Sequence, residues 1–279
     1  MIDYLSTIPI WYYILFAVLA LVCEYIDSAM GGGYGTILVP ILLAFNIDSR
    51  LLVPVVLFTE IWTGFGSAIL HHFAGNADFH VKISDGEETR KNGKIKISPD
   101  FKISTILAIC GVVGAIIATY ASIKINPMAM KIYIGILVLL MGILVTSRLK
   151  WKFAWWKIYS IGLLAAFNKG LSGGGYGPLI SSGQMIVDRN PRQAVASTSL
   201  SEAVVCVTSL LIAITIPANQ IIIFSFPFLY LMIALLIGSM LSVPLAVLTV
   251  KHISIKKMQP IIGIVTMGLG IFTLINTFI

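Results

Sequence analysis

The chain has 279 residues, 58% of them hydrophobic and 11% charged, with a mean hydropathy of +0.96, a composition that excludes an ordinary water-soluble domain. The formal net charge of +7 comes from Lys and Arg in short clusters between long apolar runs. That is the pattern of loops facing anionic lipid, and no basic groove or motif speaks for nucleic acid.

The N-terminus has no basic stretch before Ile10 and no small-x-small cleavage site, so residues 10–26 are expected to stay as the first membrane segment. Further apolar runs follow at 34–45, 51–70, 103–123, 128–147, 158–167, 176–187, 194–216, 224–250 and 258–278. Cys23, Cys110 and Cys206 lie singly inside such stretches, without CxxC or His-rich spacing, and read as packing residues rather than disulfides or metal ligands. A crossing takes about 20 residues for a hydrocarbon core of about 30 Å. As single straight helices, residues 10–45 would reach roughly 54 Å and 158–187 about 45 Å, at about 1.5 Å per residue. Each must break, and each contains the breaker: Gly31-Gly32-Gly33-Tyr34-Gly35 in the first, Gly173-Gly174-Gly175-Tyr176-Gly177 in the second.

These identical pentapeptides stand 142 residues apart, and the same shift lays Arg50 on Arg192, Val53 on Val195, Glu60 on Glu202 and Ser67 on Ser209. Beyond the long polar loop the shift becomes 128, and Met130, Gly135 and Gly142 fall on Met258, Gly263 and Gly270. The chain therefore reads as an internal duplication, 1–147 and 158–279, with a cytoplasmic loop at 74–102 and a basic cytoplasmic linker at 148–157. The loop, with Asp85-Gly86-Glu87-Glu88, is expected to be a solvated connector carrying a short hairpin.

Basic clusters fall at 82–102, at 148–157, at Arg189 and Arg192, and at 251–257, while the N-terminus, the 217–220 turn and the C-terminus carry none. All these clusters share the cytoplasmic side only if each glycine-broken segment is a hairpin that enters and leaves by one face. Both termini are then external. Five segments per half, an odd number, invert the second half relative to the first. The expected fold is an all-α integral membrane protein of two inverted five-segment repeats, each with a glycine-broken helical hairpin, in the cell membrane. Many secondary transporters share this plan.

Asn168-Lys169-Gly170-Leu171-Ser172-Gly173-Gly174-Gly175-Tyr176-Gly177-Pro178-Leu179, with the stretch from Arg192-Gln193-Ala194 through Ser197-Thr198-Ser199 to Ser201-Glu202, resembles the second-repeat signature of the TauE/SafE sulfite exporters, the TSUP permeases. In segment pattern the resemblance covers nearly the whole chain. It implies a permease or exporter for sulfite, a sulfonate such as sulfoacetate, or another small anion, with no cofactor. The first half departs from the signature at Val55-Val56-Leu57, opposite Ser197-Thr198-Ser199.

The residues point the same way by themselves. A helix that starts at a glycine break inside the membrane presents backbone N–H groups and a partial positive charge to an anion. Gly31, Gly32, Gly33 and Tyr34, with Gly173, Gly174, Gly175 and Tyr176, are therefore candidate substrate-binding residues; the plain alternative is that the glycines serve close helix packing. Ser197, Thr198, Ser199 and Ser201 offer hydroxyls to an oxyanion, although helical spacing turns only one or two inward and bonding back to the helix is common. Asn168 and Gln184 complete the binding candidates.

Glu60 and Glu202 lie mid-span, where a charge costs about 2.5–3.5 kcal/mol; they read either as a coupling or gating site or as protonated structural caps. Asp27 and Lys169 superpose under the 142 shift, and either Lys169 holds the anion or the two pair and brace the breaks. His71 and His72 read as interfacial, and Trp151, Trp155 and Trp156 as an interfacial belt. An intramembrane hydrolase would want paired acids or a Ser-His arrangement, and no second Asp stands in a motif matching Asp27. A passive anion channel would use the same glycines. The expected partners are a small anion, the lipid bilayer and a second copy of the chain.

Overall fold

Lipid offers the backbone no hydrogen bonds, so an apolar run satisfies its peptide groups internally as a helix. The computed structural model describes residues 9–45, 47, 49–83, 95–122, 127–147, 151–172, 174–215 and 226–278. Among these the helices are α1 (Ile10–Met30), α2 (Tyr34–Ala44), α3 (Ser49–Phe73), α4 (Pro99–Ser122), α5 (Pro127–Thr146), α6 (Trp155–Ser172), α7 (Tyr176–Ile186), α8 (Pro191–Thr215), α9 (Phe226–His252) and α10 (Ile255–Phe278). Six of the described helices are long and apolar enough to cross a membrane. The expected loop hairpin is present as β1 (Val81–Ile83) antiparallel to β2 (Ile95–Ile97), with Lys82 opposite Lys96.

Both long segments break at the glycines, leaving α2 and α7 with 11 residues each. Gly31 ends α1 at φ 80, and the N–H groups of Gly31 and Gly32 both donate to Asp27 O, at 2.7 and 3.1 Å. A left-handed residue after the last turn is the common helix stop, and glycine takes it without a Cβ penalty.

Helices pair in a regular way: α1 lies along α9 and α4 along α6, while α3 packs on α8 and α5 on α10. Small residues set these crossings, because lipid supplies no hydrophobic drive between helices and backbones must come close. A Cβ added to Gly238 would sit 1.9 Å from Ala17 O, and one added to Gly142 would sit 2.5 Å from Met267 N. Large apolar side chains cover the outside, among them Val18, Val113, Ile237 and Leu241. Glu24, Glu60, Lys169 and Glu202 are buried in the centre. This polar interior with an apolar exterior suits a lipid solvent. At one end of the bundle Lys102 lies over the Trp155 ring at 4.6 Å and Lys157 over Trp151 at 5.6 Å.

Candidate functional site

The two glycine breaks touch. A Cβ on Gly32 would fall 2.2 Å from Pro178 N and 2.4 Å from Gly177 C, and one on Gly174 would meet Thr36 at 3.2–3.4 Å. Gly175 N–H donates to Thr36 Oγ1 at 3.0 Å. Under the 142 shift Gly32 becomes Gly174 and Thr36 becomes Pro178, so the two contacts correspond to each other. Gly31 packs closely on Ser181, a Cβ there falling 2.6 Å from Ser181 Cβ. Close packing is thus a real task of Gly31 and Gly32, joined to whatever else the breaks do. Gly33 and Gly175 complete the turns in positive φ, and Gly173 lies outside the described residues.

The short helices are not electrically equivalent. Tyr34 N–H donates to Asp27 Oδ1 at 3.0 Å, so a carboxylate of α1 already caps α2. This corrects the expectation that both short helices open with amides free for an anion. At the repeat position in α6 stands Lys169, a cation, and the cap on Gly175 is the neutral Thr36 hydroxyl.

Lys169 Nζ donates to Glu60 Oε2 at 2.6 Å and to Glu202 Oε1 at 3.0 Å, all three side chains being buried. The glutamates of α3 and α8, which correspond under the 142 shift, therefore meet on one ammonium from α6. Asp27 and Lys169 were expected to pair as one alternative; among the described residues the ion pairs of Lys169 go to the glutamates instead. Cys206 is more than packing, since its thiol donates to Glu60 Oε2 at 3.2 Å. Glu24 was missed by the sequence reading: it is buried, and Ser28 Oγ donates to its Oε1 at 2.6 Å. Its signal was a carboxylate inside an apolar run.

The hydroxyl candidates mostly bond back to their own helix. Thr198 Oγ1 donates to Ala194 O at 2.7 Å, Ser199 Oγ to Val195 O at 3.3 Å and Ser201 Oγ to Thr198 O at 3.0 Å. Ser67 Oγ also reaches Ser199 Oγ at 3.3 Å, across the α3–α8 crossing. Gln184 Nε2 donates to Thr198 Oγ1 at 3.2 Å. Tyr34 OH shares a hydrogen bond with Thr59 Oγ1 at 3.1 Å, and the Tyr176 hydroxyl lies towards Ser201 and Gly111. Asn168 is buried on α6 beside Gly175.

The interfacial expectation for His71 is overturned. It is fully buried, with Nε2 3.1 Å from Ser28 O and Nδ1 2.9 Å from Asn76 Nδ2, and so ties the end of α3 to α1. His72, half-buried, accepts the Phe79 N–H at Nδ1 (3.2 Å). His72, Asp78 and His80 bring nitrogen and oxygen atoms within 4.8 Å of one another. An imidazole that accepts at Nδ1 keeps its proton at Nε2, so His72 has no nitrogen open to a metal. Asp78 is occupied too, by the His80 N–H and ring, which hold its carboxyl below the usual range.

A helical bundle with a lipid-facing apolar surface and a charged centre is the architecture of a multi-pass membrane transporter. The chain belongs to the sulfite exporter TauE/SafE family, whose profile matches residues 89–273. It is similar to the probable membrane transporter protein YtnM of Bacillus subtilis (strain 168), 24% identical over 284 residues, covering 95% of this chain and 84% of that protein. No solved structure matches it. The family is one of membrane transporters, not of enzymes.

Proposed function

We propose that the chain is a secondary transporter for a small anion, a sulfur oxyanion or organosulfonate such as sulfite or sulfoacetate, working by alternating access around the meeting point of the two breaks. The observation that carries this reading is the contact of the breaks beside Lys169, Glu60 and Glu202. The second break, with a cation where the first has a carboxylate, is the better anion site: the helix end and Lys169 both attract an oxyanion. The family name supports sulfur chemistry.

Two inverted repeats, each with a glycine-broken hairpin, are supported by the helix contacts. Exchanging the halves turns the α1–α9 pair into α6–α4, and the α2–α10 pair into α7–α5, and leaves α3–α8 and α5–α10 unchanged. All of these contacts occur. Alternating access needs halves that can exchange roles in this way. The basic clusters support a cell-membrane orientation with both termini external, and a homodimer remains part of the proposal.

Charge sets the coupling. Asp27, Glu60 and Glu202 lie around Lys169, and Glu24 lies beside Asp27 and Glu60; with every carboxylate ionised the centre would repel an anion. Protons taken up by the glutamates neutralise it, which makes Glu60 and Glu202 the coupling pair.

The test is thermal stabilisation of the purified protein in detergent with sulfite, sulfoacetate, taurine, thiosulfate, sulfate, acetate and chloride, since a bound ligand stabilises by mass action. A shift selective for a sulfur oxyanion supports the reading; a shift with acetate alone makes the chain a carboxylate permease. No shift with any anion overturns the site.

A further inference from the structure

Positions that correspond under the 142 and 128 shifts carry opposite chemistry at the ends of α7 and α2. Arg189 sits just beyond α7, where Asp188 adopts φ 66. Arg189 N–H closes on Gln184 O at 3.0 Å and Asp188 N–H on Met185 O at 3.1 Å. This helix-stop motif folds the chain back, so that Arg189 points into the bundle. Its guanidinium donates to Asp100 Oδ1 at the start of α4, to Gln184 Oε1, and to Ser197 Oγ of α8 at 3.2 Å. Asp100 is held in turn by Asp78 N–H at Oδ2, 2.9 Å away. The pair is buried, with side-chain exposures of 7% and 4%.

The repeat-related positions are apolar throughout. The 142 shift turns Gln184, Arg189 and Ser197 into Leu42, Ile47 and Val55. The 128 shift, which lays Pro99 on Pro227, turns Asp100 into Phe228. Leu42, Ile47, Val55 and Phe228 are all buried in one hydrophobic cluster. Four positions that form a polar network in one half thus form an apolar plug in the other.

We propose that Asp100 and Arg189 form a latch closing the path on the side bearing the basic clusters, and that an entering oxyanion opens it by taking the place of Asp100 on Arg189. This rests on the two-repeat anion-transporter reading given above. A guanidinium binds a carboxylate and a sulfonate through the same forked donors, so the exchange leaves Arg189 paired throughout. A cavity of about 530 Å³ lies at the latch, lined by Arg189, Lys152, Phe153, Trp155, Ile103 and Asp188 among others. It gives an anion room to arrive beside two cations. The apolar plug has no group that an anion can replace; its closure rests on burial alone. Arg189 and Asp100 are positioning residues for Gln184, whose amide they hold through Arg189.

The test reads access to the centre from each face through the native Cys206 thiol, with Cys23 and Cys110 replaced by Ala. An impermeant maleimide is applied to vesicles of either orientation, with sulfoacetate as the probe because sulfite itself adds to maleimides. Asp100→Asn is expected to speed Cys206 labelling from the basic face about tenfold or more, without changing the other face. Phe228→Ala is expected to do the reverse. Sulfoacetate should speed basic-face labelling of the native latch but not of Asp100→Asn, whereas chloride should not. Arg189→Lys, which keeps the charge and loses the fork, guards against misfolding and should weaken the sulfoacetate response. Unchanged labelling in Asp100→Asn and Arg189→Lys, both monodisperse on gel filtration, overturns the latch even if anion exchange is found. Faster labelling in Asp100→Asn with no anion moved by the native chain keeps the latch and overturns the transport reading.

Discussion

Lys169 on α6 reaches Glu60 on α3 with Nζ 2.6 Å from Oε2, both side chains being buried. This bond joins the two halves of the chain at their centre, and Glu202 at 3.0 Å completes the bridge. Replacing Lys169 by Met leaves two carboxylates unpaired in a buried site, where breaking such a pair costs about 3–5 kcal/mol. Lower unfolding temperature and loss of transport are expected together. Adding Glu60→Gln and Glu202→Gln to Lys169→Met should restore much of the stability but not the transport, as read by thermal unfolding and liposome flux.

Gly32 is fixed by both space and conformation: φ is +151, and a Cβ would strike the Pro178 backbone. Gly32→Ala therefore combines backbone strain with a clash and should cost more than about 3 kcal/mol. Gly75, at φ +76 with open space around its Cβ position, is the control. Gly75→Ala should cost about 1–3 kcal/mol, from strain alone. Unfolding midpoints of the two variants in one detergent decide it; equal costs would mean that the breaks do not touch.

His71→Ala removes a buried bond to Ser28 O and leaves Asn76 without its ring partner, a loss of about 1–3 kcal/mol. His72→Ala, at a half-buried position, should lose less. An interfacial His71 would give the same small effect as His72, so the comparison discriminates by the size of the shift in unfolding temperature.

Anion affinity should rise as pH falls, because protons on the central glutamates remove the charge that repels the ligand. Linkage limits the gain to about tenfold per pH unit for each proton bound. Glu202→Gln should flatten the profile. Isothermal titration across pH checks this, and an affinity independent of pH would argue against proton coupling.

Much of this architecture was legible in the sequence for one physical reason: apolar runs have few alternatives in lipid. Helix length alone forced the two breaks, and the repeated Gly-Gly-Gly-Tyr-Gly located them. The same shift brought Glu60 and Glu202 into correspondence before either was seen to share Lys169. What could not be read were contacts between distant segments. Nothing local says that Asp27 caps Tyr34, that Arg189 reaches Asp100, or that His71 turns inward to Ser28. The 142 shift misled at Asp27 and Lys169, where matched positions invited pairing; the ammonium goes instead to Glu60 and Glu202. The hydroxyls of Thr198, Ser199 and Ser201 showed the rule for such residues in helices, bonding to their own carbonyls.

The proposed route for the anion is a site where the two breaks meet. The most direct measurement is counterflow of labelled sulfoacetate in liposomes, comparing the native chain with Gly174→Leu, whose side chain would press on Thr36. Saturable counterflow is expected for the native chain and none for Gly174→Leu, although that variant remains monodisperse. Label entering without counterflow would make the protein a passive channel, and equal counterflow in both would contradict the site.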